Sequence, residues 1–136
     1  MKDFAIKNDL SEIETLADEI TDYCKDNGVA EALCYDIRLA LEEAVSNTIK
    51  YGYKDHDIHT IHVRVGIENQ ELHLEIEDDG KAFNPLEAPT PNLSVPVEQK
   101  PIGSLGIYLM RSVMDRVDYE RSGTKNILRL IKTFKN

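Results

Sequence analysis

The spacing of the apolar residues changes near residue 61, from a helical period to a period of two. Up to residue 51 the apolar positions recur every three or four residues, which predicts two amphipathic helices. From Ile61 to Ile67, and again from Leu72 to Ile76, they alternate with polar residues, which predicts a hairpin with one buried face. A chain with both patterns is expected to pack helices on a sheet.

Capping residues predict where the first elements begin. A short strand at residues 4–6 precedes the first helix, which Asp9 or Ser11 can cap. The second helix runs from about Ala30 to Tyr51 and is followed by a glycine that ends it. Each helix has one apolar face, so both are expected to lie on the sheet.

The segment after the hairpin holds all five prolines of the chain, at 85, 89, 91, 96 and 101. Such clustering marks an irregular loop. A third helix is predicted from a glycine-punctuated turn to about Asp115, and two strands at 117–121 and 127–134. The order β α α β β, loop, α β β predicts an α+β fold, a two-layer sandwich of helices on a mainly antiparallel sheet.

Length and charge narrow the class of protein. The 136 residues fit one domain, expected to span 1–136, and the formal charge of −9 argues against nucleic acid as a direct partner. Cys24 and Cys34 fit neither a CxxC pair nor a four-ligand zinc site, so they are interpreted as buried thiols in a reducing cytosol. With no signal peptide and no run of about 18 apolar residues, we expect a cytoplasmic protein without a membrane span.

Three polar side chains of the second helix lie in a row beside its apolar stripe. At about 100° per residue, Glu43, Asn47 and Lys50 fall within roughly 60° of one another. Glu42 points the opposite way, to solvent. Taken alone, such a row is more typical of a solvated charged edge than of a site.

Asp78 shares the buried face of the second hairpin strand with Leu74 and Ile76, whereas Asp79 points outward. A buried carboxylate is costly unless it is paired or hydrogen-bonded, so Asp78 needs a donor: a ligand amine, a water or a backbone N–H. Gly80 allows a sharp turn or the close approach of a ligand. The simpler interpretation of this DDG sequence is a turn that ends a strand.

A glycine-bearing segment, Gly103-Ser104-Leu105-Gly106, enters the third helix after the proline-rich loop. Free N–H groups at such a helix start can hold phosphate. A lone GxxG is equally typical of an ordinary flexible helix start. It gains weight here because the inward aspartate and the Glu/Asn row precede it.

Three segments together resemble the N-box and the two glycine boxes of the GHKL, or Bergerat-fold, ATPases: EEAVSNTIKYGY, IEDDGKAFNP and PIGSLGIYLMRSVMDRVDYERSGTKN. The resemblance covers nearly the whole chain and is strongest to the stand-alone serine/threonine kinases that act as anti-sigma factors. It implies the histidine-kinase-like ATP-binding fold. Histidine kinases add a phosphoacceptor helix, whereas the four histidines here, at 56, 59, 62 and 73, fall in a loop or on strands.

The resemblance implies a role for each matching residue. Glu43 matches the general base, and Asn47 matches the ligand of the magnesium ion that bridges the phosphates. Asp78 matches the aspartate that recognises the adenine amino group, and Lys50 matches a phosphate-contacting position. The segments that form the pocket edge and the phosphate cradle match Gly80, Gly103, Ser104, Leu105 and Gly106.

Residues 81–101 match the mobile ATP lid, and Lys100 is its cation nearest the second glycine box. Two positions depart from the family pattern and bear on lid flexibility: Ala82 replaces the second glycine of DxGxG, and Ser104 replaces a glycine of the frequent GGLG. The family's threonine near the last strands aligns with Thr124 in one of more than one register of SGTKNILRL.

The resemblance implies a protein serine/threonine kinase that uses ATP and Mg²⁺. Its implied substrate is a serine of a small STAS-domain antagonist, with a sigma factor as a possible competing partner and a homodimer as a possible assembly. One alternative is a nucleotide-gated module that binds ATP or ADP without phosphoryl transfer, which the altered glycine pattern allows. An acidic α+β domain with coincidental motifs is the third interpretation, and three ordered matches argue against it.

Overall fold

The computed structural model describes residues 1–87, 94 and 104–134. Its strands and α-helices follow in the predicted order: β1 (Lys2–Lys7), α1 (Ile13–Asp26), α2 (Glu31–Tyr51), β2 (Thr60–Glu68), β3 (Glu71–Asp78), α3 (Ser104–Val113), β4 (Arg116–Ser122) and β5 (Lys125–Thr133). Short 3-10 turns lie at Leu10–Glu12 and Pro85–Glu87. The strands pair antiparallel in the order β1-β2-β3-β5-β4, which confirms the α+β prediction.

Local hydrogen bonds mark two of the predicted helix boundaries. The Asp9 side chain accepts the N–H of Ser11 at 2.9 Å, as predicted, although it caps the 3-10 turn and α1 itself begins at Ile13. At the other end of the helical layer, Gly52 follows α2 and donates its N–H to the Thr48 carbonyl at 2.8 Å. The glycine predicted to end the second helix therefore does so.

The helices cover one face of the sheet, and the core lies between the two layers. Inward positions of β2 and β3 pack against the stripes of α1 and α2; the fully buried side chains include Ile20, Ile37, Leu41, Ile61, Val63, Val65, Leu72, Leu74 and Ile76. The free thiols of Cys24 and Cys34 lie in this core, and burial raises the pKa of Cys24 to about 12. The buried-thiol interpretation is confirmed.

The uncovered face of the sheet carries a row of alternating charges that crosses all five strands. Its members are Asp3, Arg64, Glu75, Arg129 and Glu120. Arg64 reaches Glu75 at 3.0 Å, and Arg129 reaches Glu120 at 3.0 Å. Such partly exposed pairs contribute only about 0.2–1 kcal/mol each, so their main effect is to keep this face polar.

The sheet order brings distant parts of the chain together at one end of the molecule. β5 lies between β3 and β4, so Asp78 at the end of β3 pairs with Asn126 on β5. The C-terminal half of α2 and the start of α3 pack over this end. Within residues 1–87 and 104–134, no helix combines the length and apolar composition that crossing a membrane requires.

Candidate functional site

A cavity of about 360 Å³ opens between the helical layer and the end of the sheet. Its wall is contributed by α2, β3, α3, β4, β5 and the residues that follow β3. Apolar side chains form much of it: Ala44, Ile76, Phe83, Pro85, Ile107, Met110 and Leu128. A few polar groups converge on it: Glu43, Asn47, Thr48, Asp78, Lys81 and Asn126. This size and composition are typical of a small-molecule site.

Glu43 and Asn47 lie one helical turn apart on α2, and both line the cavity. The Glu43 carboxylate rests against Gly106 in the first turn of α3: a Cβ added to Gly106 would lie 2.6 Å from Glu43 Oε2. Glu42 lies outside the cavity and pairs with Arg38 at 2.9 Å. The predicted separation of the two neighbouring glutamates onto different faces is therefore observed.

Asp78 is 7% exposed and lies on the buried face of β3, as the alternation predicts. Its Oδ1 accepts the N–H of Gly80 at 2.8 Å and the amide Nδ2 of Asn126 at 2.9 Å. The described residues give Oδ2 no hydrogen bond. Burial raises the pKa of Asp78, and these two hydrogen bonds oppose the rise.

Gly80 makes a close backbone contact with the end of α2. A Cβ at this position would lie 2.5 Å from the Gly52 carbonyl oxygen, which also accepts the N–H of Lys81 at 2.8 Å. The sequence predicted a sharp turn or the close approach of a ligand at Gly80, and the close contact in the structure is with protein backbone. It fixes the end of β3 against α2 beside the cavity.

Asp79 points away from the cavity, as predicted, and contacts His59. Nδ1 of His59 lies 3.1 Å from Asp79 Oδ1, and its Nε2 lies 2.7 Å from Asp55 Oδ1. Asp55 first and then Asp79 raise the pKa of His59. The ring of Tyr53 stacks on the imidazole with centroids 4.2 Å apart. This cluster ties the α2–β2 connection to the residue after Asp78.

Asn126 is a buried polar cavity residue that the sequence interpretation missed. It lies on β5 opposite Asp78 and is 7% exposed. The alternation of Asn126, Leu128 and Leu130 on one face was the available signal, since it places a polar group at a buried position. Its importance depends on the pairing of β3 with β5, which no local pattern reveals.

The structure does not bring Lys50 or Thr124 to the cavity wall. Lys50 is exposed near the end of α2, beyond Asn47. Thr124 is exposed in the two-residue turn that joins β4 to β5, so its side chain lies outside the wall. In the register that the structure shows, Thr124 lies outside the wall, and the β5 residues that reach the cavity are Asn126 and Leu128.

The glycine-bearing segment begins α3. Ser104, Leu105 and Gly106 belong to its first helical turn, so the predicted turn before the helix is already helical there. Gly103 and Lys100 lie outside the described residues, as does most of the predicted lid at 81–101. The described start of that lid lines the cavity through Lys81, Phe83 and Pro85.

Residues 6–132 match the family described as the histidine kinase-like ATPase domain. The chain belongs to this family. The match extends from β1 into β5 and so includes every element that lines the cavity. The resemblance found in the three sequence segments is confirmed.

Named relatives of the chain are bacterial protein kinases. Serine-protein kinase RsbW of Bacillus subtilis (strain 168) is 31% identical over 103 residues, which cover 67% of this chain and 63% of RsbW. Serine/threonine-protein kinase BtrW of Bordetella bronchiseptica is 29% identical over 98 residues, covering 72% of this chain and 69% of BtrW. The match thus spans less than two thirds of the length of RsbW.

Solved structures share the fold. The RsbU and RsbW domains of a Mycobacterium tuberculosis protein superpose with a TM-score of 0.65 at 11% identity, over 98% of this chain and 32% of that one. The Acinetobacter baumannii histidine kinase AdeS gives a TM-score of 0.54 at 14% identity, over 100% of this chain and 70% of that one. At such identities the likeness concerns the architecture.

Proposed function

We propose that the protein is an ATP- and Mg²⁺-dependent serine/threonine kinase that acts as an anti-sigma factor or a similar partner-switching regulator. The observation that carries the proposal is the position of Glu43, one turn from Asn47, in the wall of a cavity that also contains the buried Asp78. The kinase names of the relatives support it. We propose that residues 1–136 act as one ATP-binding domain.

The cavity suits an adenine ring. Ile76, Met110 and Leu128 offer apolar contacts to the faces of a purine. Asp78 Oδ2 faces no protein donor among the described residues and so can accept a hydrogen bond from the exocyclic amine. The space over Gly106 and the N-terminal end of α3 would lie towards the phosphates.

Asn47 is the residue proposed to hold magnesium, through its amide oxygen. The described residues contain no cluster of three histidine, cysteine or acidic groups that could cage a metal ion. Magnesium usually keeps several waters and takes one or two protein ligands together with substrate phosphates. One amide oxygen beside the phosphates is therefore a sufficient protein contribution.

Glu43 is proposed as the general base. Its carboxylate would take the proton of the incoming serine hydroxyl while that oxygen bonds to the γ-phosphorus and the bond to the bridging oxygen of ADP breaks. Phosphoryl transfer depends mainly on positioning and charge neutralisation. In the proposal, the glycine-bearing start of α3 and the lid at 81–101, with Lys100, supply the remaining contacts to the phosphates.

The proposed substrate is a serine of a small STAS-domain antagonist, and a sigma factor would compete for an overlapping surface. A cytoplasmic location and a homodimer belong to the same proposal. The formal charge of −9 supports protein rather than nucleic acid as the direct partner.

Phosphoryl transfer tests the proposal. The protein is incubated with labelled ATP, Mg²⁺ and STAS-domain proteins encoded near its gene, and label is expected on one serine. Glu43→Gln should lower the rate by about 10² to 10⁴, the usual effect of losing a general base, with nucleotide affinity nearly unchanged. Glu42→Gln is the matched control and should transfer at the wild-type rate, because Glu42 faces Arg38 outside the cavity.

Two outcomes would change the conclusion. If Glu42→Gln and Glu43→Gln behaved alike, Glu43 would lose its assigned role. If the protein bound ATP and the STAS protein without transferring label, the nucleotide-gated module without phosphoryl transfer would replace the kinase.

A further inference from the structure

The side chain of Asn126 uses its full hydrogen-bonding capacity on other residues of the protein. Nδ2 donates to Asp78 Oδ1 and to the Lys81 carbonyl, both at 2.9 Å. Oδ1 accepts the Tyr119 hydroxyl and the N–H of Phe83, the latter at 3.4 Å. An asparagine amide has two donor hydrogens and an oxygen with two lone pairs. Asn126 thus has no donor or acceptor left for a ligand.

These partners also fix which way the amide points. Its oxygen must face the donors of Tyr119 and Phe83, because its nitrogen faces two oxygen acceptors. Asn126 consequently donates a hydrogen bond to Oδ1 of Asp78 and none to Oδ2, and the N–H of Gly80 donates to the same Oδ1. The carboxylate is fixed in rotation, with Oδ2 left for a ligand.

The same amide joins the carboxylate to the residues that follow β3. It contacts Lys81 and Phe83, which both line the cavity. Arg121 reinforces this join through a 2.9 Å hydrogen bond from Nη1 to the Gly80 carbonyl. Residues 81–83 cannot move away from β5 without breaking hydrogen bonds of Asn126. Their position and the orientation of Asp78 are thereby linked.

We propose that Asn126 is a positioning residue that orients Asp78 towards the purine and couples this orientation to the conformation of residues 81–83. The proposal rests on the proposed nucleotide-binding function. It assigns Asn126 no contact with the nucleotide. Its effect on affinity is exerted through Asp78.

The charges around Asp78 make this coupling measurable as a pH dependence. Burial raises the pKa of Asp78, whereas the hydrogen bond from Asn126 is the strongest opposing influence, followed by Gly80. Asp79 raises the same pKa and Arg121 lowers it. Tyr53 faces Asp78 from the α2–β2 connection with a buried hydroxyl that has no partner among the described residues. Loss of the Asn126 donor is therefore expected to raise the pKa of Asp78.

The test measures binding of Mg²⁺-ATP by calorimetry across acidic to neutral pH. Asn126→Ala should weaken binding by about tenfold or more near neutral pH, the effect of losing a hydrogen bond to a charged group. The pH below which binding fails should shift upward. Asn126→Asp keeps the shape but turns an acceptor towards Asp78, so it should weaken binding at least as much.

Two further variants separate positioning from packing. Tyr119→Phe removes a donor to Asn126 but leaves Asp78 both of its donors. This variant should therefore lose less affinity than Asn126→Ala, and the pH below which binding fails, the acid limit, should be unchanged. Glu120→Gln, on the uncovered face of β4, is the control and should bind as wild type. A purely structural role would lower thermal stability in Asn126→Ala without moving the acid limit.

A nucleotide-free measurement keeps the inference separate from the proposed function. Carbon-13 NMR of the Asp78 carboxyl in the unliganded protein should show a higher pKa in Asn126→Ala, and the Phe83 amide should exchange faster with solvent. Folded Asn126→Ala and Asn126→Asp with wild-type affinity and an unchanged Asp78 titration would overturn the inference. Failure of the wild type to bind ATP would instead overturn the proposed function.

Discussion

At the scale of single residues, two glycines beside the cavity lack a side chain for different reasons. A methyl group on Gly106 would meet the end of the Glu43 side chain, which can rotate away. A methyl group on Gly80 would meet the backbone carbonyl of Gly52, which cannot move alone. Gly106 leaves space for the side chain of the proposed catalytic residue Glu43, and Gly80 allows β3 to pack closely against the end of α2.

Alanine substitution should therefore lower phosphoryl transfer at one of these glycines and lower stability at the other. Gly106→Ala should fold normally but lower phosphoryl transfer by about tenfold to a hundredfold, because a small displacement of a catalytic group is costly. Gly80→Ala should lose about 1–3 kcal/mol of stability, the usual cost of overpacking. Urea unfolding and labelled-ATP transfer measure the two effects. Wild-type transfer by Gly106→Ala would show that the position of Glu43 against α3 is unimportant.

Local sequence pattern was sufficient for residues whose environment is set by their own element. Alternation along β3 placed Asp78 inward and Asp79 outward, and helical geometry separated Glu43 from Glu42. It was insufficient for Asn126, whose partners come from β3, β4 and the residues after β3. The register of SGTKNILRL stayed open in the sequence for the same reason, because the turn between β4 and β5 fixes it.

At the scale of elements, the connection between α2 and β2 is held at both sides. The N–H of Asn8 donates to the His59 carbonyl at 3.0 Å, and the N–H of His59 donates to Asn8 Oδ1 at 2.9 Å. The His59 ring contacts Asp55 and Asp79. One histidine therefore links this connection to the segment after β1 and to the end of β3.

This link should make stability depend on pH. The paired aspartates raise the pKa of His59 above its ordinary 6.5. A raised folded-state pKa gives stabilisation that is complete below the unfolded-state pKa and is lost as the pH rises through the folded-state pKa. Urea unfolding of the wild type should therefore show a loss of stability as the pH rises above the ordinary histidine pKa of 6.5, and His59→Gln should lack this loss. Equal pH dependence in the two proteins would show that His59 is not the group that titrates.

The element order was predictable because helices and strands have different apolar periods, and some boundaries carry a local signal such as Asp9 or Gly52. The start of α3 was harder to predict. Glycine in a helix costs about 0.5–1 kcal/mol relative to alanine, so Gly106 suggested a turn before the helix. Its place inside the helix is explained by the contact with Glu43, which belongs to tertiary structure.

At the scale of the whole molecule, the cavity joins both layers, so an occupant should stabilise the entire fold. Mg²⁺-ATP at about 100 times its dissociation constant should add about 2.7 kcal/mol to the free energy of unfolding. Thermal unfolding with and without nucleotide measures this shift. Asp78→Asn should reduce it, because an amide in place of the carboxylate no longer offers only acceptors to the purine amine.

Glu77→Gln, one residue earlier on the uncovered face of β3, is the control for Asp78→Asn. The nucleotide-induced shift in thermal unfolding should be the same in Glu77→Gln as in the wild type, because Glu77 faces Arg64 on the side of the sheet away from the cavity. Equal shifts in Asp78→Asn and the wild type would remove Asp78 from the nucleotide site.

The central pairing of the sheet also has a consequence for how the protein folds. The hairpins β2–β3 and β4–β5 are local and can form within microseconds. The pairing of β3 with β5 brings together Asp78 and Asn126, which are 48 residues apart in sequence. Closing that loop costs entropy before the contacts of the pairing can form. The cavity wall needs this pairing, so we expect the wall to be completed late in folding. We therefore expect an occupant of the cavity to slow unfolding and to leave the folding rate unchanged.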